Sequence, residues 1–164
     1  MFLSRACEYG IQAMLYLHQH GDDRNVAVSE ISRKLGISAS FLAKIVGQLA
    51  ARGLLDSRRG AGGGVRLARP SAQLRLIDVV DAIDGLELRT RCIIGLPQCG
   101  SAAPCPFHDS WGPLRDKIMS ALSEQSLASL MRNGNYRISR VGRQSKERYR
   151  LTIQTRAKKL RGPG

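Results

Sequence analysis

Three of the four cysteines in this chain fall within one short stretch, Cys92 to His108, which reads CIIGLPQCGSAAPCPFH. Cys92, Cys99 and Cys105 are separated by six and then five residues, and His108 follows with two residues between it and the third cysteine. Soft thiolates and one imidazole on a loop rich in Gly, Pro, Ala and Ser are the donors that a zinc ion or an iron–sulfur cluster requires. The alternative is three free or disulfide-linked thiols in a surface loop, but cysteines grouped among small residues favour a metal or cluster. A redox-silent zinc site would use the same Cys-Cys-Cys-His set, closed and tetrahedral, to stabilise a nucleic-acid-binding protein. A thiol-based enzyme is disfavoured because there is no Cys-x-x-Cys and no acid–base constellation around the thiols, so no catalysis is expected.

The elements around this loop must be built from 164 residues, enough for one compact domain, or a small domain with an extension. Lys and Arg number 26 against 13 acidic residues, a net charge of +13, which points to polyanions: nucleic acid first, an anionic membrane surface second. The excess is uneven, since residues 134–164 hold ten basic residues against one acid, Glu147, and so carry +9. No apolar run is long enough to span a bilayer, and MFLSRACEYG lacks the order of a secretory signal. A cytoplasmic protein is expected, in a compartment that keeps thiols reduced.

Residues 3–18 place Leu3, Cys7, Ile11, Met14, Leu15 and Leu17 largely on one helical face, a first core helix in which Cys7 reads as a small buried thiol. From Val26 two short amphipathic helices follow. Ser29 is expected to cap the first and Gly36 to open the turn, while Ser38 caps the second, with Leu42, Ile45, Val46 and Leu49 as its core stripe. The other face of the second helix presents Ser40, Phe41, Lys44, Gln48 and Arg52. This is a helix-turn-helix pattern, whose second helix enters the major groove, although an ordinary solvated helix pair shares the pattern. Leu54–Arg59 and Val65–Leu67 read as strands around a glycine turn, a β-wing whose Arg58, Arg59 and Arg66 reach DNA backbone or minor groove. A nucleotide-binding reading of these glycines fails, because Val65 stands where the dinucleotide pattern needs Gly and no Lys-Ser or Lys-Thr follows. A short helix is expected over 76–83. After the cysteines comes a long helix with Trp111, Leu114, Ile118 and Ala121 or Leu122 at near-heptad spacing, suited to a copy of itself in a second subunit or to its own core.

The fold class expected is therefore mainly α with a small β-wing: a winged helix-turn-helix domain over 1–85 and a cysteine-rich loop over 86–108. A dimerisation helix with a following short helix occupies 109–133, and a basic tail over 134–164 reads as mostly disordered. The opening MFLSRACEYGIQAM, the LGISASFLAKIVGQLAARGLL helix pair, the RRGAGGGVRL wing, the spaced cysteines ending in CPFH and the SLASL segment occur in that order. In this arrangement the chain, over about residues 1–132, resembles the bacterial iron–sulfur winged helix-turn-helix regulators of the IscR/NsrR-like family.

That resemblance implies a homodimer on a pseudo-palindromic duplex operator and an iron–sulfur cluster, 2Fe–2S in preference to 4Fe–4S, with zinc as the alternative. It implies cluster ligation by Cys92, Cys99 and Cys105. For the fourth ligand it offers His108, as in the IscR-like branch, or Glu8 of the first helix reaching across from the other subunit. His108 is preferred because it lies on the same loop. The chain departs from the pattern in two places: the first cysteine spacing is six where the IscR-like branch has five, and Ala43 stands where some members place a polar residue. The function implied is transcriptional regulation by sensing redox state, nitric oxide or iron–sulfur status.

Overall fold

The computed structural model describes residues 3–21, 24–60, 62–90, 92–96, 99 and 104–132; the basic tail at 134–164 lies outside these. Helix α1, Arg5–His20, begins where the Ser4 hydroxyl accepts the Cys7 amide and stops at Gly21. It buries Cys7, Met14 and Leu17 as expected, together with Tyr9, Ala13 and Tyr16. Helix α2, Val28–Leu35, starts one residue before Ser29, on Ala27, which caps it with no side chain. Ser29 is thus a helical residue and not the cap that the sequence suggested. Gly36 closes α2 at φ 68°, a left-handed conformation that glycine adopts without a Cβ clash. Ser38 then caps α3, Ala39–Ala51, its hydroxyl accepting the Phe41 amide at 3.2 Å. In α3 the stripe Leu42, Ile45, Val46 and Leu49 is buried.

Strands β1, Leu55–Arg58, and β2, Gly64–Leu67, pair antiparallel with Leu55 opposite Leu67 and Arg58 opposite Gly64. The wing is pinned near its turn by a bridge between Val26 and Val65, with N to O distances of 2.9 Å each way. Gly64 makes this close approach possible: a Cβ there would sit 2.6 Å from the Val26 carbonyl oxygen. Helix α4, Leu76–Ile83, packs on α1 and α3 and leads through a single 3-10 turn, Glu87–Arg89, into the cysteine loop.

Helix α5, His108–Glu124, packs on α4 and on the 3-10 turn, and α6, Leu127–Arg132, returns to α1. The α5–α6 junction is stitched to the start of α4: the Leu76 amide donates to Gln125 and the Leu127 amide to Leu74, while Arg75 Nη1 donates to the Glu124 carbonyl at 2.6 Å. One apolar core joins these elements, from Met14 and Leu17 through Ile31, Leu35, Leu42, Ile45 and Leu49 to Leu74, Val79 and Leu127. Helix α5 adds no side chain to this cluster: Trp111 is buried outside it and Leu114 is exposed. It also carries Gly112 and Pro113 side by side in its interior, residues that cost a helix about 1 and about 3 kcal/mol relative to Ala. The architecture is mainly helical with one two-stranded wing.

Candidate cysteine site and nucleic-acid interface

The cysteine loop leaves the 3-10 turn and re-enters the helical body at α5, so both of its ends are anchored on packed elements. The Cys99 amide donates to the Thr90 carbonyl at 3.1 Å, folding the loop back on its root, and the His108 amide donates to Cys105 at 2.9 Å. As a result Cys92 and Cys105 are buried, with their Sγ atoms 3.7 Å apart, and Cys99 Sγ lies 3.5 Å from His108 Nδ1. His108, read from sequence as part of the loop, is the first residue of α5. Burial raises a thiol's pKa, but the backbone amides of Ile94 and Leu96 and the thiols of Cys105 and Cys99 outweigh it at Cys92, which is held below its ordinary value. Cys105 is pushed up, by burial and by its negative neighbours Cys92 and Cys99, against a backbone hydrogen bond from Phe107.

Among the described residues the donors form pairs and no closed group of three that would hold an ion as it stands. In kind the donor set fits a zinc ion or an iron–sulfur cluster: three thiols on one loop and an imidazole at the start of α5. Cys7 is different. It is sealed in the core, and burial, the charges of Asp84 and Glu8 and a hydrogen bond to Asp84 push its thiol up to about 12. The same Asp84 carboxylate accepts the Ser4 amide at 2.8 Å and the Ser4 hydroxyl, tying the start of α1 to the end of α4. Glu8 is half-buried in the first turn of α1. Large exposed apolar side chains cluster around the site: Ile93, Ile94, Leu96, Phe107 and Leu114 are each about half exposed, between 45% and 54%.

On the other side of the core, α3 turns Ser40, Lys44 and Gln48 to solvent. Ser38 spends its hydroxyl on the helix cap and lies 3.3 Å from the Ser40 hydroxyl. Phe41 is partly exposed and meets Tyr9 edge-on, with ring centroids 5.9 Å apart. In the wing Arg58 and Arg59 are exposed, whereas Arg66 is engaged by Asp56 through two hydrogen bonds of 3.1 and 3.2 Å. The sequence reading passed over Asp56, yet pairing the hairpin about its glycine turn sets residue 56 opposite 66 and would have found it. It also passed over Gly112, against which the His108 ring rests.

Fold and site together define a winged-helix regulator with a cysteine-rich loop. The chain belongs to the Rrf2 family, described as iron-dependent transcriptional regulators, whose model matches residues 3–133. It is 33% identical over 150 residues to the HTH-type transcriptional regulator IscR of Photorhabdus laumondii, covering 92% of this chain and 90% of that one. It is 30% identical over 135 residues to the protein rrf2 of Nitratidesulfovibrio vulgaris, covering 82% and 90%. Among solved structures, T. potens IscR superposes with a TM-score of 0.63 at 27% identity, covering 80% of this chain and 86% of that chain. CymR, the global cysteine regulator of B. subtilis, shares the fold with a TM-score of 0.69 at 22% identity, over 80% and 96%. The Photorhabdus protein is named a transcriptional regulator, and this chain is a transcriptional regulator of the Rrf2 family. No described helix is long and apolar enough to cross a membrane.

Proposed function

We propose that this regulator acts in the cytoplasm as a homodimer on a pseudo-palindromic operator. In this reading it senses redox state, nitric oxide or iron–sulfur status through a cluster, 2Fe–2S in preference to 4Fe–4S. Cys92, Cys99 and Cys105 hold the cluster, with His108 as the fourth ligand and Glu8 as the alternative. The observation that carries the reading is the gathering of donors: Cys92 beside Cys105 at 3.7 Å and Cys99 beside His108 at 3.5 Å, while Cys7 is kept in the core as an inert thiol. When bound, an iron–sulfur cluster supplies one-electron redox chemistry and reactivity toward oxidants and nitric oxide.

The chain's own residues do the rest. Residues 1–85 bind DNA: Ser40, Phe41, Lys44 and Gln48 face base edges from the helix capped by Ser38, and Arg58 and Arg59 meet phosphate or minor groove, with Arg66 behind them. Residues 86–108 carry the ligands. Leu114 and Ile118 on α5 supply an apolar face for a second copy, within the segment 109–133. Because the loop connects α4 to α5, any change in its shape bears on how α5 lies against α4. In a dimer that angle sets the spacing of two recognition helices, which must reach grooves about 34–36 Å apart.

The test is the absorption spectrum, iron and acid-labile sulfide of protein purified without oxygen from cells with cluster assembly intact. Bound iron and sulfide are expected, lost when any one of Cys92, Cys99 or Cys105 is changed to Ala and kept in Cys7→Ala. Stoichiometric zinc without sulfide would replace redox sensing by a structural site. His108→Ala shifts the spectrum if His108 is the fourth ligand; a shift in Glu8→Ala alone would assign that role to Glu8.

A further inference from the structure

We propose that His108 enters the metal site through Nδ1 and that Gly112 is the positioning residue that seats its ring, an inference that rests on His108 being a ligand of that site. Imidazole ligands bind through either nitrogen, and the choice decides how far the ring stands from its helix. Here the two edges of the ring face different things. Nδ1 lies 3.5 Å from Cys99 Sγ. The far edge lies over Gly112, one turn along α5, where a Cβ would stand 3.7 Å from Nε2 and 3.8 Å from Cε1.

The ring thus has its near nitrogen turned to the thiol and its far edge toward the space a side chain at Gly112 would enter. Binding through Nε2 would require the ring to leave this seat and turn its far edge toward the loop. Gly112 is buried, and a small residue there leaves room for the ring beside the helix. The distances grade the consequence of filling that space. An alanine methyl would meet the ring at ordinary contact distance, whereas the two γ carbons of valine would occupy the space the ring takes. With Nδ1 given to a metal, the neutral imidazole carries its proton on Nε2.

The experiment uses the full chain with 15N-labelled histidine rings, loaded anaerobically with zinc as a diamagnetic probe of the four donors. Two-bond proton–nitrogen correlations are expected to show His108 Nδ1 metal-bound and Nε2 protonated. Coordination by Nε2 with a protonated Nδ1 overturns the inference and leaves His108 as a ligand. Zinc bound with neither His108 nitrogen perturbed overturns both, and a protein that takes up no zinc removes the metal site beneath them. In a chelator competition Gly112→Ala is expected to hold zinc as tightly as the parent, and Gly112→Val about tenfold or more weakly. Equal affinity in a folded Gly112→Val removes the seat. If that variant fails to fold, the nitrogen assignment in the parent protein decides.

Discussion

Gly10 lies buried in α1 where that helix meets α4 and the recognition helix α3. A Cβ at this position would overlap Ile83 Cδ1 and stand 3.5 Å from Ile45 Cγ2 and Val79 Cγ1. Gly10→Ala therefore carries two opposed effects. Replacing glycine by alanine inside a helix gains about 1 kcal/mol, and overpacking a buried contact costs about 1–3 kcal/mol. With Ile83 half-buried and its terminal methyl as the obstacle, we take about 2 kcal/mol for the overlap, leaving Gly10→Ala about 1 kcal/mol less stable than the parent. Ile83→Val removes that Cδ1 atom and alone costs about 0.5–1 kcal/mol at a partly exposed site.

In the double variant the new methyl occupies the space the old one vacated, so stability returns close to the parent's. The coupling energy is then about 2 kcal/mol of mutual relief, well above the few tenths expected of independent sites. Urea denaturation of the four proteins, with slopes compared to exclude a changed unfolded state, measures it. An additive result, with the double variant near 2 kcal/mol less stable than the parent, would refute the packing of α1 against α4 through Gly10. Ile45 in the same contact belongs to α3, so operator affinity should fall in Gly10→Ala and recover with stability in the pair.

Glu30 accepts hydrogen bonds from Arg24 Nη1 and Nη2 at 3.0 and 2.7 Å and from the Tyr16 hydroxyl at 2.9 Å. The Arg24 guanidinium chiefly holds its carboxyl down to about 2, against burial. A folded value below the ordinary one gives stability that is fully present above the unfolded value of about 4.5 and is lost as pH falls toward 2. Unfolding at about pH 6 should separate the parent from Glu30→Gln by no more than about 1 kcal/mol, a gap that narrows by about pH 3; a gap constant with pH would refute the ion pair. On DNA, Lys44→Ala or Gln48→Ala should lower the ratio of operator to scrambled-duplex binding, a good base contact being worth about 1–3 kcal/mol. Truncation after residue 133 should instead weaken both duplexes alike and lower the log–log salt slope by about 0.9 for each phosphate the tail had neutralised, as read by fluorescence anisotropy. Specificity that vanishes with the tail and survives in the helix variants would move the recognition element.

Local chemistry made the helices and the wing legible, because each element announces itself within a few residues: the α3 stripe at i, i+3, i+4 and i+7, Gly36 at a left-handed cap, Ser38 three residues before the amide it accepts. Where two local signals compete, reading by type alone errs. Ser29 looks like a cap, yet Ala27 takes the place because the wing bridge at Val26 fixes where the chain turns into α2. Residue types likewise marked Cys92, Cys99, Cys105 and His108 as candidate ligands, but not which thiol sits by which donor, since that depends on how the loop folds back on Thr90 and where α5 begins. Cys7 shows the same limit from the other side. Its helical spacing marks it as a buried thiol, and burial is the chief reason its pKa is raised, but the carboxylate that adds to that rise belongs to Asp84, eighty positions from the Ser4 cap it also binds. Gly10 lies in the same packing of α1 on α4. The separation of one inert thiol from three ligand-like ones is thus a property of helix packing, and it should fail first in variants that force α1 and α4 apart.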